Sequence, residues 1–225
     1  MYIGLDIGGT KILGGVVDHS RILSLKKTKT QAEESQNNIY DRIAEVIKTL
    51  MADYPIDGIG IGIPGALDLD TGTVLKSPNL PFKDFPLKKK LHSDFKLPIA
   101  IDNDVNVGLL GEHWVGAAQG LAHVLGVFIG TGIGGGVIIN HRLLHGQHSL
   151  SGEIGHMKLK TNGPRCNCGE RGCFEALASK QAFHRQLIKY GIETGPLLKS
   201  SLLKTLLENN DKTAKNIIKK ICIHI

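Results

Sequence analysis

Long apolar runs and aromatic residues are what this sequence has least of. No stretch of its 225 residues approaches the apolar run of about 20 that a membrane-spanning helix needs. Met1 leads at once into "MYIGLDIGG", too short and too glycine-punctuated for a secretory signal. Aromatics make up 5% of the chain, with a single Trp, which leaves little for stacking bases. Cysteine is scarce too. Four residues, three clustered and one alone, do not make a secreted disulfide framework, and they suit a reduced, cytoplasmic setting in which clustered thiols mean metal. The net charge of +6 and pI of 9.1 attract anionic small substrates such as nucleotide phosphates as readily as nucleic acid. The densest basic run, "LKKKLH" (Leu87 to His92), falls where a helix is expected and reads as a solvated face. Neither a membrane nor nucleic acid is expected as a partner.

What is present is an α/β pattern long enough to bury a sizeable core. Residues 2–7, 12–18 and 21–26 read as three strands joined by tight turns. Ile39, Ile43, Val46, Ile47 and Leu50 mark one face of a helix over 34–52. "DGIGIGIPG" puts its isoleucines on one face and leaves glycines on the other for close packing. A helix near 85–95, a strand at "LPIAI" (97–101) and a helix from Asp104 to Trp114 complete a lobe with a mixed sheet. The second half opens similarly, with "HVLGVFIG", the turn "TGIGG" and the returning strand "GVIIN". Two related lobes facing a cleft are expected, 1–115 and 116–225. Beyond residue 180 the chain is helical. The stripe Ala214, Ile217, Ile218, Ile221, Ile225 runs to the last residue without a cap or a glycine stop, and is expected to lack part of its cover.

"DIGGTK" (Asp6 to Lys11) ends a strand with an acid and continues with two glycines, Thr and Lys. Gly8 and Gly9 open backbone N–H groups to a phosphate, Thr10 adds a hydroxyl, Lys11 a charge, and Asp6 can hold magnesium through water. The spacing is not that of a Walker loop. "GTGIGGG" (Gly130 to Gly136) is a second such loop after an apolar strand. Either alone reads as a hairpin turn; together they point to a polyphosphate held between lobes. "IDNDVN" (Ile101 to Asn106) follows a buried strand and opens a helix. Asp102 there reads as a helix N-cap. Asn103 and Asp104 sit where ligands meet open α/β sheets, and an Asp so placed can take a proton from a substrate hydroxyl. In "SGEIGHMKLKTNGPRCNCGERGCFEALAS" (Ser151 to Ser179), His156, Cys166, Cys168 and Cys173 form one imidazole and three thiolates. That set suits zinc as a closed, tetrahedral, structural site, the bland alternative being three unligated buried thiols. Cys222 reads as a small core residue.

Taken in order, these motifs resemble the ROK family, the sugar kinases and related repressors of the actin-like ATPase (ribonuclease H-like) fold. "DIGGTK" and "GTGIGGG" look like its two phosphate motifs, "GIPG" with "SPNLPF" its sugar loops, "DNDVN" its catalytic motif, and "GEIGH" with "CNCGERGCFE" its zinc and sugar signature. The resemblance covers residues 2–180. It implies that Asp104 deprotonates the 6-hydroxyl of a hexose for attack on the γ-phosphate of ATP. Gly65, Asn79, Asn103, Asp104, Glu153, His156 and Glu175 would hold the sugar. Asp6, Gly8, Gly9, Thr10 and Lys11, with Gly130, Thr131, Gly132 and Gly134, would hold magnesium-ATP. The zinc would orient the loop carrying Glu153, His156 and Glu175, with His156 giving one ring nitrogen to the metal and the other to the sugar. Glucose is the expected hexose, N-acetylhexosamine and fructose kinases sharing nearly all these motifs, and a homo-oligomer, a dimer, is implied.

The family's repressors carry a winged helix ahead of "DIGGT"; with five residues before Asp6, none is expected here. Family kinases continue past the last helices into a glycine-rich loop near the adenine, and this chain has no glycine after Gly195. The second lobe is therefore expected to be incomplete and the nucleotide weakly held. A sugar-binding or sensing protein that keeps the pocket without turnover is the alternative of another class.

Overall fold

The computed structural model describes residues 1–147, 149–195 and 198–225. The chain divides into two compact units, Met1–Val124 with Val137–Ser151, and Leu125–Gly136 with Gly152–Ile225.

The first unit is built on a five-stranded sheet. Its strands are β1 (Tyr2–Ile7), β2 (Lys11–Asp18), β3 (Arg21–Lys29), β4 (Gly58–Ile63) and, later in the chain, β8 (Ile99–Asn103), in the order β3-β2-β1-β4-β8. β1, β2 and β3 pair antiparallel, whereas β1, β4 and β8 run parallel, so the mixed sheet read from the sequence is present. Ile3, Leu5 and Ile7 of β1 and Ile59, Ile61 and Ile63 of β4 alternate into one core. Helix α1 (Gln36–Met51) covers that face with Ile39, Ile43, Val46, Ile47 and Leu50, and Ser35 caps it by accepting the Asn38 N–H at 3.2 Å.

Between β4 and β8 lie three short strands that the periodicity did not reveal, β5 (Ala66–Asp68), β6 (Thr73–Lys76) and β7 (Lys83–Phe85), and helix α2 (Leu87–Phe95). The strands form a separate antiparallel sheet in that order. With three or four residues each, they are too short to show a two-residue alternation. Leu67, Val74, Phe82 and Phe85 nevertheless join the main core. The basic run lies on α2 as expected, with Leu87 and Leu91 inward and Lys90 over the Tyr40 ring at 4.8 Å.

Helix α3 (Asp104–Val115) follows β8 without a break, and its first turn comes over Gly62, where an added Cβ would lie 3.4 Å from the Asp104 Cα. Gly60 has no neighbour within 4 Å of such an atom, whereas at Gly58 it would lie 3.3 Å from the Pro98 carbonyl oxygen, so two of the three glycines on this face of β4, Gly58 and Gly62, serve close packing. The cap of α3 is also displaced from expectation. Asn103, not Asp102, accepts the Val105 N–H, at 2.9 Å, because the strand runs on to Asn103 rather than ending at Ile101.

A hairpin of β9 (Val124–Ile129) and β10 (Ile133–Ile139) leads to β11 (Arg142–Leu143), in a sheet of order β11-β10-β9. The second unit then contains a 3-10 turn (Ile154–His156) and helices α4 (Phe174–Ala178), α5 (Lys180–Lys189), α6 (Ser200–Glu208) and α7 (Lys212–Cys222). Its core gathers Ile133, Phe174, Phe183, Leu187, Ala214, Ile217 and Ile221.

This core corrects two expectations. The α7 stripe is covered: Ala214, Ile217 and Ile221 are buried and Ile218 packs against them, the cover coming from α4, α5 and Ile133; only Ile225 is exposed. Cys222 is exposed rather than a core residue, since it lies about 100° round the helix from Ile221. Ile217→Ala should therefore cost about 2–5 kcal/mol, the usual range for such a buried truncation, read as a lower urea midpoint for the second unit. Among the described residues no helix is long and apolar enough to cross a membrane.

Candidate functional site

In the first unit, the candidate residues collect at the carboxyl ends of the parallel strands β1, β4 and β8. The register aligns Asp6 with Gly62 and Gly62 with Asp102, so the two acids stand on one face, about 9–10 Å apart at two strand spacings. Asp6 is exposed, and its carboxylate oxygens are suitable donors for a water-bridged magnesium ion. Asn103 and Asp104 come next, half-buried, with Asp104 opening α3. The Asn103 side-chain oxygen caps the helix, and Asp104 Oδ1 accepts the same Val105 N–H at 3.0 Å. Asp102 has a different place from the one its position suggested. Its Oδ1 accepts the Asn103 N–H at 2.7 Å and the Asn106 side-chain amide at 2.9 Å, and its Oδ2 lies 2.7 Å from His145 Nε2. His145 follows β11, and no motif in the sequence pointed to it.

The first phosphate motif forms the β1–β2 turn. Gly8 N–H donates to the Lys11 carbonyl at 2.9 Å and the Thr30 hydroxyl donates to the Gly8 carbonyl at 2.6 Å. The Gly8 amide is thus spent on closing the turn. Of this motif's groups, the backbone amides of Gly9 and Thr10 and the exposed side chains of Thr10 and Lys11 can face an anion. Gly9 packs on Asn79, whose carbonyl oxygen would be 2.9 Å from an added Cβ. Gly65 has φ +122°, and a Cβ there would overlap the Lys76 carbonyl oxygen and lie 2.8 Å from Ser77 Cα. The segments around Gly9, Gly65 and Asn79, expected to face phosphate and sugar, are thereby brought together within one unit. Gly65→Ala should destabilise the fold by about 1–3 kcal/mol, the usual cost of forcing a side chain into such a conformation, measurable in thermal or urea unfolding.

In the second unit, Gly130 N–H donates to the Gly132 carbonyl at 2.9 Å to form the β9–β10 turn, and the Gly130 carbonyl accepts Lys180 N–H at 3.0 Å from the start of α5. Thr131 is exposed and Gly134 half-buried on this loop. Glu175, on α4, reaches back to it: Oε2 accepts the Ile133 N–H at 3.0 Å, and a Cβ on Gly132 would overlap that oxygen. Glu153 is exposed, with its Oε2 3.7 Å from His156 Nε2, an ion-pair separation too long for a hydrogen bond.

His156, Cys166, Cys168 and Cys173 place four ligand atoms within 4.8 Å of one another. Cys166 Sγ lies 3.7 Å from His156 Nδ1, and Cys168 Sγ lies 3.7 Å from Cys173 Sγ. A tetrahedron with zinc–sulfur bonds of about 2.3 Å has sulfur–sulfur edges of about 3.8 Å, so the spacing fits zinc. The imidazole uses Nδ1 toward the thiols and turns Nε2 toward Glu153. Burial, first, pushes the Cys166 thiol up to about 12 and raises Cys173, while Cys168 is lowered, first by the Glu170 N–H. Two buried thiols that resist ionisation unaided are what a dication corrects. A loop of paired backbone frames the cluster, with Lys158 opposite Cys173 and Arg165 opposite Arg171. With four protein donors and no open position, the set suits a structural ion.

The ROK family profile matches residues 2–225. The chain is 40% identical over 187 residues to a glucokinase of Thermotoga maritima, covering 82% of this chain and 59% of that protein. It is 36% identical over 190 residues to the xylose repressor of Bacillus subtilis strain 168, covering 82% of this chain and 49% of the repressor. A ROK family glucokinase from Streptomyces griseus, crystallised with glucose and AMPPNP, superposes with a TM-score of 0.85 at 32% identity, over 98% of this chain and 75% of that one. The chain thus spans about half to three-fifths of the length of these two curated relatives. It belongs to the ROK family and has the actin-like ATPase fold of that family's sugar kinases.

Proposed function

We propose that the protein transfers the γ-phosphate of ATP to the 6-hydroxyl of a hexose, with glucose as the preferred acceptor. The observation that carries this reading is the grouping at one sheet edge of the first unit. Asp104 at the start of α3, Asp6 near the end of β1 and the Gly9–Asn79 contact stand near adjacent strand ends, a grouping that supports roles as base, metal-facing acid, phosphate turn and sugar loop. Asp104 accepts the hydroxyl proton as the oxygen attacks phosphorus, and Asn103 and Asn79 orient the sugar. On the second unit, Glu153, His156 Nε2 and Glu175 Oε1 supply directional acceptors or donors for neighbouring hydroxyls, and Thr131 with the Gly130–Gly134 backbone faces phosphate. Magnesium, when bound near Asp6, neutralises phosphate charge. His156, Cys166, Cys168 and Cys173 would hold a zinc ion, which would cross-link the loop that presents His156 and Glu175. A dimer in the cytoplasm is the expected setting.

A second reading has a specific basis, because similarity to a xylose repressor is nearly as high as to a glucokinase. In that reading the chain binds sugar without turnover. A coupled assay of zinc-loaded protein with MgATP and glucose, then fructose, N-acetylmannosamine and xylose, separates the two. Transfer to glucose with the highest kcat/KM supports the first. No transfer to any sugar, while one of them raises the Tm, leaves only the second.

A further inference from the structure

We propose that His145 is a positioning residue for the Asn103–Asp104 segment, acting through Asp102; the inference rests on the kinase reading of Asp104. Asp102 immediately precedes that segment, and both of its carboxylate oxygens are engaged. Oδ1 accepts the Asn103 backbone N–H at 2.7 Å and the Asn106 amide at 2.9 Å, and Oδ2 meets His145 Nε2 at 2.7 Å. A carboxylate only accepts, so His145 Nε2 carries the hydrogen. The two Oδ1 bonds are local, to the next residue and to one a helical turn on, and neither holds the other oxygen. The His145 contact comes from 43 residues away and fixes the remaining oxygen.

The Asp102 side chain is 17% exposed and that of His145 35%, so water competes only in part for this bond. His145 is itself held: its carbonyl accepts the Ser151 N–H at 3.0 Å, and Gly146 after it turns with φ +73°. Fixing the Asp102 carboxylate fixes the peptide N–H of Asn103, and with it the direction in which β8 hands over to α3. Asp104 is the next residue. A small rotation of this handover displaces the base from the hydroxyl it must reach, and misplacements of about 1 Å cost turnover on the order of 100-fold.

His145→Leu removes the donor, whereas His145→Gln puts an amide N–H close to where Nε2 stood. His145→Leu should lower kcat at least tenfold while the KM values for glucose and MgATP stay within about threefold, and His145→Gln should recover most of the loss. A purely structural role would instead lower the Tm and kcat alike in both variants. The amide of Asn103, followed by ¹⁵N NMR without substrates, gives a readout independent of turnover. Its proton should move upfield and exchange at least about fivefold faster in His145→Leu, and not in His145→Gln. If the parent protein transfers no phosphate, the kinase reading fails and this amide still decides the positioning role. An unchanged Asn103 amide in His145→Leu overturns the proposal whatever the kinetics, as does a kcat within twofold of an active parent.

Discussion

Asp104→Ala is expected to lower phosphoryl transfer by about 100- to 10,000-fold, the usual contribution of a positioned general base, while glucose still binds within a few-fold of its original affinity. The split between turnover and binding follows from the local structure. Asn103 is the residue that caps α3, so the helix start survives loss of the Asp104 side chain. Asp104 shares the Val105 N–H and adds a negative charge in the first turn, a contribution of about 0.3–1 kcal/mol. A modest drop in Tm is therefore expected, too small to explain the loss of activity. Steady-state kinetics beside calorimetric titration of glucose measure the two effects. Asp104→Asn refines the test, since asparagine keeps the shape and the bond to Val105 but cannot take the proton. Turnover in either variant within tenfold of the parent would move the base to another group.

The second large effect concerns the metal cluster. Cys173→Ser should abolish stoichiometric zinc binding and weaken sugar affinity by at least about tenfold. Cys173 is fully buried, immediately precedes α4 and pairs by backbone with Lys158. Glu175, two residues on, reaches the Ile133 amide, so an unpinned α4 loosens both the proposed sugar contact and the second phosphate turn. Structural zinc in small peptides contributes about 10–16 kcal/mol of apparent binding energy at pH 7, and part of that is expected to hold this loop.

The same cluster predicts a pH dependence. The ion must displace protons from Cys166, pushed up to about 12 by burial, and from Cys173, also raised by burial. Below these values each proton competes with the metal, so zinc affinity rises with pH, by about tenfold per unit for each proton released. Chelator competition at pH 6.5 and 8 should show tighter binding at the higher pH. A flat response would mean that the thiols are not ligands.

How much of this was legible in the sequence depends on the range of the forces involved. Alternation in β1 and the four-residue spacing in α1 are local, and both elements stand within two or three residues of where periodicity put them. The strands β5 to β7 went unread because each has only three or four residues and is held by pairing with its neighbours. The α7 stripe was correctly recognised as a buried face, but which residues would cover it is a tertiary fact, and Phe183 and Leu187 of α5 do so. The shift of the α3 cap from Asp102 to Asn103 turned on where β8 ends, at Asn103 rather than Ile101, within the ordinary uncertainty of an element's end.

Spacing along the chain was enough to group His156, Cys166, Cys168 and Cys173, whose ligand atoms lie within 4.8 Å of one another, because a closed tetrahedron of soft donors demands a short loop with His and Cys at restricted intervals. It placed Asp104 at the end of a strand and the opening of α3, where ligands meet parallel sheets, but its role as a base came only from the resemblance. Spacing could not say that Nδ1 of His156 rather than Nε2 turns toward the thiols, that Glu175 grips the turn after β9, or that His145 meets Asp102. Those contacts join residues 10, 42 and 43 positions apart, and a hydrogen bond's direction is set by the packing of whole elements, which no local pattern encodes.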